Sequence, residues 1–187
     1  LGAGSITYHA TNLIITQGLS DITTASGDTF DVEMMTATTC RIKNYISSAR
    51  GQLLQVVTVA YTTSTSTTSA TLVDTGLTAS ITPKYATSKI LVLVDQTVSL
   101  ASTSTATYVD VAVFRGATDI GRDYRVGGSV PVAFDHRTVS LSIFDSPATT
   151  SATTYKTQFA SSIAGQSVEA QHANIRPSTI TLMEIRQ

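Results

Sequence analysis

Between Thr67 and Val98 the chain reads TTSATLVDTGLTASITPKYATSKILVLVDQTV, and one run within it restricts the possible folds more than any other. Leu77, Ala79 and Ile81 face one way and Thr78, Ser80 and Thr82 the other, the period-two signature of a half-buried strand. Pro83 ends that strand, and the polar connector Lys84 to Ser88 follows. The next run, Ile90-Leu91-Val92-Leu93-Val94, is apolar on both parities, so its predicted strand has to be covered on both faces. Ile90, Val92 and Val94 continue on the same parity to Val98 and Leu100, whereas Leu91 and Leu93 are bounded on theirs by Lys89 and Asp95. The longer row is therefore expected to face the protomer's own core, and Leu91 and Leu93 to meet a neighbouring copy. The alternative cover is a loop of the same chain.

From Gln52 onward the pattern is a succession of strands, predicted at Leu53–Ala60, Ala70–Val73, Leu77–Ile81, Ile90–Ser99, Tyr108–Arg115, Ile120–Tyr124, Val130–Phe134, Thr138–Phe144, Thr154–Ala160, Val168–Gln171 and Thr179–Ile185. Such regular spacing with turn signals between the runs, and no competing helical period, points to an all-β antiparallel sandwich or barrel. Val109, Val111 and Val113 form one inward row, Val139, Leu141 and Ile143 another, and Tyr155 with Phe159 a third. Gly116 reads as the tight connection of a hairpin, where positive φ is needed. Asp145-Ser146-Pro147 reads as a turn in which Asp145 bonds the backbone ahead.

Size allows one generous domain, residues 52–187, preceded by a stem or attachment segment, residues 1–51, whose short apolar runs Leu13–Ile15 and Val32–Met35 lie among turn residues. The start at Leu1 reads as a processed product or as the C-terminal piece of a longer chain. Ser and Thr supply 55 of the 187 residues and charged residues only 13%. That is roughly half the usual charged share, and with a mean hydropathy of +0.15 it would leave much apolar area of a lone protomer in water. An oligomer resolves this. A net charge of −1 and a pI near 6.3 provide no basic stripe for nucleic acid or anionic membrane. No apolar run approaches the length of a membrane helix, and no Lys/Arg-led signal peptide opens the chain, so membrane insertion is not expected. The single Cys40 cannot form an intrachain disulfide.

His9, His136 and His172 have no metal-ligand spacing to one another, so neither a metal nor a cofactor is expected. Asp135-His136-Arg137 reads as a turn between strands, where neighbouring side chains diverge, and no G-x-S-x-G elbow accompanies it. A glycan-cleaving enzyme would need paired carboxylates. Asp110, Asp119, Asp123 and Asp145 offer only their type, and no repeat of a long hydrolytic spike is visible. The most suggestive binding feature is Arg122-Asp123-Tyr124-Arg125 before Val126-Gly127-Gly128, since Tyr and Arg supply rigid contact area and forked donors; the alternative is a solvated strand end. The Ser/Thr tract Tyr61–Thr68 reads as a loop or as an edge strand guarded by hydroxyls.

Five blocks occur in order: QVV, STTSATLVDTGLTASITPKYATSKILVLVD, VFRGATDIG, LSIFDSPATTSATTYKTQF and STITLMEIR. Together they resemble the C-terminal domain of tail-fibre-type structural proteins of tailed bacteriophages, notably marine ones, over residues 52–187. The resemblance implies a non-catalytic virion protein, usually a homotrimer, on a jelly-roll sandwich similar to the trimeric heads of the tumour-necrosis-factor superfamily. In such a trimer Leu91 and Leu93 would lie near the three-fold axis. Residues 1–51 would join other virion proteins, and Arg122, Tyr124 and Arg125 would reach a host-surface glycan or protein. Only some fifty residues stand where fibre proteins usually carry a long shaft. A head fibre or capsid decoration protein therefore stays open, as does, from another class, a secreted carbohydrate-binding module or glycan depolymerase.

Overall fold

The computed structural model describes residues 4–6, 13–15, 22–24, 29–34, 40–46, 51–100, 107–129, 135–172 and 177–187. The chain divides into two units, Leu1–Gln52 with Arg186–Gln187, and Leu53–Ile185. In the first, β1 (Gly4–Ile6) pairs antiparallel with β3 (Ile22–Thr24). There too β5 (Cys40–Ile46) lies between β2 (Leu13–Ile15), parallel to it, and β4 (Thr29–Met34), antiparallel.

The second unit holds eight long strands: β6 (Leu53–Tyr61), β8 (Val73–Ile81), β9 (Lys89–Leu100), β10 (Thr107–Arg115), β11 (Thr118–Ser129), β12 (Asp135–Asp145), β13 (Thr153–Ser161) and β15 (Ser178–Ile185). Two short ones, β7 (Thr65–Thr67) and β14 (Val168–Ala170), complete it. One sheet runs β11-β10-β13-β8 and the other β6-β15-β9-β12, all antiparallel. Counting only the long strands, these are the orders 2-7-4-5 and 1-8-3-6, the strand arrangement of a jelly-roll sandwich. The expected all-β jelly-roll-like architecture is the one observed.

β9 organises the larger sheet. One of its edges pairs with β12 along Ile90–Leu100; the other pairs first with β15 over Lys89–Asp95 and then with β14 over Val98–Leu100, with β7 beyond. Alternation sends Ile90, Val92, Val94, Val98 and Leu100 into the core, all at or below 2% exposure. The rows read from parity lie where expected: Val109, Val111, Val113, Tyr155 and Phe159 are fully buried and Val139 nearly so, while Leu141 and Ile143 are half-buried against the core.

The core is divided. One apolar cluster gathers around Leu77, Ile90, Val92, Tyr155, Ile180 and Leu182, the other around Val98, Leu100, Val109, Phe159 and Val168. Near their boundary lies a buried polar network. Thr75 and Thr157 share a hydrogen bond of 2.5 Å, Thr157 Oγ1 donates to Gln96 Oε1 at 2.8 Å, and Gln96 Nε2 donates to Ser178 Oγ at 2.8 Å. In the amide orientation that satisfies both its ends, Gln171 accepts from Gln96 Nε2 at 2.8 Å and donates to Thr75 O at 3.1 Å. Each of these groups would cost free energy if buried unpaired.

Several local expectations are corrected. Ala70–Val73 is not a strand of its own: β8 starts at Val73 and runs through to Ile81, broken in register by a bulge opposite Lys156–Gln158. Asp135-His136-Arg137 is the start of β12 rather than a turn, because β9 is long enough to pair with it as far as Leu100. Of the two readings of the Ser/Thr tract, the edge strand is the one observed, as β7. The Asp145 carboxylate turns inward instead of bonding the backbone ahead, accepting Arg115 Nη1 at 2.6 and 2.8 Å and Tyr155 Oη at 2.7 Å. The predicted strand Val130–Phe134 lies outside the described residues.

Candidate functional site

The two outer faces of the sandwich differ in chemistry. On the sheet β6-β15-β9-β12, register places Val56, Met183, Leu91 and Phe144 side by side across four strands. Strands about 4.8 Å apart put the ends of that row about 14 Å from each other. Val56 is 48% and Phe144 62% exposed, with Leu91 and Met183 half-buried between them. The next row is Thr58, Thr181, Leu93 and Ser142; beside it a shallow depression of about 210 Å³ is lined by Leu93, Val94, Asp95, Ser140, Leu141 and Ser142. Thr58 and Thr181 hydrogen-bond each other at 3.1 Å, and Ser140 donates to Asp95 at the margin. Leu91 and Leu93 thus occupy the outer face, as their parity required, in a partly exposed apolar stripe.

The outer face of the sheet β11-β10-β13-β8 carries charge instead. Lys156 Nζ lies 2.8 Å from Asp74, which also accepts from Gln158 Nε2 at 2.7 Å. Hydrogen bonds from Lys156 and Gln158 hold the Asp74 carboxyl below its ordinary value. Arg122 pairs with Asp119, and that hydrogen bond raises the guanidinium pKa further.

At the free edge of this sheet, β11 bulges. Val109 and Val111 are paired with Val126 and Asp123, so Tyr124 and Arg125 together oppose Asp110 alone. Arg125 takes φ +59°, a left-handed conformation uncommon for a residue with a side chain, and its amide donates to Asp110 Oδ1 at 2.9 Å. The guanidinium of Arg125 lies 5.9 Å from the centre of the Tyr108 ring, and that of Arg122 is as far from the centre of Tyr124. Tyr124 is 61% exposed. The structure therefore brings Arg122, Tyr124 and Arg125 to one edge and adds Asp110, which the sequence offered only as one of four scattered acids, and Tyr108, which it did not single out. Their alternation on the preceding strand was the available signal, but nothing in it announces the bulge.

The remaining candidates are dispersed. Asp110, Asp119 and Asp145 are each engaged as described, and Asp123 is exposed. Glu184, buried at the opposite side of Ile90 from Asp145, accepts from Gln55 Nε2 at 2.6 Å and from the Lys84 amide at 2.7 Å. His9 lies outside the described residues, whereas His136 and His172 are brought together with ring centroids 4.5 Å apart. Among the described residues no helix is long and apolar enough to cross a membrane.

Fold and surfaces define a jelly-roll-like β-sandwich with an apolar stripe across one outer face and ion pairs on the other. No protein-family model matches the chain, and no curated protein does. Among solved structures it is similar to a chain of infectious bursal disease virus Gt strain, at 14% identity and TM-score 0.37, over 90% of this chain and 45% of that one. Particles with T=1 symmetry derived from infectious bursal virus give 11% identity and TM-score 0.37, over 90% and 43%. This chain spans less than half the length of those it matches, and at these scores no residue role is carried across.

Proposed function

We propose that this protein is a structural component of a bacteriophage virion, a non-catalytic fibre or appendage that assembles as a homotrimer. The observation that carries the reading is the row Val56–Met183–Leu91–Phe144 with Leu93 beside it. An apolar stripe with charge only at its margins suits a second copy of the same surface, because burying it removes apolar area from water without stranding a charge. The resemblance of residues 52–187 to phage tail-fibre-type domains supports three copies rather than two, and the jelly-roll topology agrees with it. Residues 1–51 join other virion proteins. Arg122, Tyr124 and Arg125, on the polar side, contact a host-surface glycan or protein, and the virion is the site of action.

The test is light scattering on the purified chain, with three times 19.7 kDa expected. Leu93→Asp would place a carboxylate in the contact and should give monomers that keep their cooperative melt. A monomer mass for the unmodified chain would end this reading, and a dimer mass would replace the trimer. Immunogold labelling of purified particles would separate a tail fibre from a head fibre or capsid decoration.

A further inference from the structure

Where β9 passes from Val98 to Leu100, three residues stand side by side across three strands: His136 on β12, Ser99 on β9 and Glu169 on β14. Directly paired residues share a face, with Cβ atoms about 4.5–5.5 Å apart. Two residues past Glu169, Gln171 takes φ +53°, left-handed for a residue with a side chain. That turn accompanies the return of His172 toward Glu169: its Nδ1 lies 2.5 Å from Glu169 Oε2 and its ring 4.5 Å from that of His136. The other oxygen of Glu169 accepts from the Ser64 hydroxyl. Beneath this group Ser99 is 1% exposed, and its Oγ has no hydrogen-bond partner.

We infer that His136, His172 and Glu169 form a binding site for one divalent transition-metal ion of the zinc, nickel or copper type, above Ser99. Two imidazoles and one carboxylate suit these borderline ions better than calcium or magnesium, which prefer all-oxygen shells. Two ligands come from one Glu-x-x-His turn and the third from β12, so linear spacing conceals the set. In the present arrangement no group of three or more His, Cys, Asp or Glu among the described residues could hold a metal ion. An ion bound here would replace the direct His172–Glu169 hydrogen bond. An ion at about 2.0–2.2 Å from each ligand atom would open that distance to roughly 3 Å. Binding therefore requires the His172 and Glu169 side chains to rotate apart.

Ser64 fixes the orientation of the Glu169 carboxylate, the supporting role that outer-shell partners play at metal sites. The Ser99 hydroxyl is available to a water molecule carried on the ion. None of this depends on the assembly state or on a virion role.

Calorimetric titration of zinc chloride and nickel chloride into the full chain tests the inference. One ion per chain is expected, with a higher melting temperature in its presence. His136→Ala, His172→Ala and Glu169→Gln should each weaken binding about tenfold or more, and His9→Ala should leave it unchanged. Proton NMR of the unmodified protein gives a readout independent of variant folding: two imidazole rings should shift together at one equivalent of zinc. Absence of binding at millimolar metal, a response of fewer than two rings, or binding that survives in the His136→Ala/His172→Ala double variant would overturn the site.

Discussion

Glu184 and Asp145 both face the core beside Ile90, and their different partners show how a carboxylate is tolerated there. Asp145 is matched by Arg115 and by the Tyr155 hydroxyl, and burial, reinforced by the bond to Asp145, pushes the Tyr155 phenol far above its usual range. Glu184 instead ties the connector after β8 to β15 through Gln55 and the amides of Lys84 and Tyr85. Burial pushes its carboxyl up, yet these hydrogen bonds outweigh burial and leave it below the ordinary value of 4.5. A folded-state pKa below the unfolded one contributes stability that is complete above the unfolded value and is lost as pH falls through the folded one. Stability should therefore decline from about pH 4.5 downward. Glu184→Gln should be less stable than the unmodified chain at pH 7 and should lose less on acidification. Urea melts at pH 7 and pH 3.5 check this, and equal acid losses in both proteins would refute it.

At the scale of the element, the bulge in β8 decides more than its length suggests. Register slips between Lys156 and Gln158, and the extra residues let Thr75 reach into the core, where it bonds Thr157. Gly76 makes this possible at φ +90°, with the Tyr61 ring so close that an added Cβ would lie 2.5 Å from Cε1. Gly76→Ala should cost about 2–4 kcal/mol, combining a left-handed conformation with overpacking. The urea midpoint would fall with the slope unchanged. A loss under about 0.5 kcal/mol, the range of neutral surface changes, would mean that β8 re-registers to relieve the strain.

For the whole molecule, the contrast between the outer faces is the main organising fact: Val56, Met183, Leu91 and Phe144 on one, Asp74–Lys156 and Asp119–Arg122 on the other. The jelly roll has its own two-cluster core within Leu53–Ile185. A chain beginning at Gln52 should therefore melt cooperatively and keep the assembly state of the full protein. A thermal melt and light scattering check these. Aggregation of the shortened chain beside a soluble full-length one would show that residues 1–51 belong to the core.

Alternation by itself determined which residues of β9, β10, β12 and β13 face inward, because a period of two leaves one buried row per strand; it likewise put Leu91 and Leu93 on the outer face. The Gly116 hairpin was legible for a similar reason, since one local backbone requirement selects one residue type. Tertiary structure decided what pairing across distant segments creates. The apolar row from Val56 to Phe144 draws on four strands, and the network of Thr75, Gln96, Thr157, Gln171 and Ser178 on segments far apart in the chain. The meeting of His136 with Glu169 and His172 depends on β12 and β14 flanking the same three residues of β9. Strand order and register set these neighbours, and both follow from the free energy of the whole packed sandwich rather than from any local pattern.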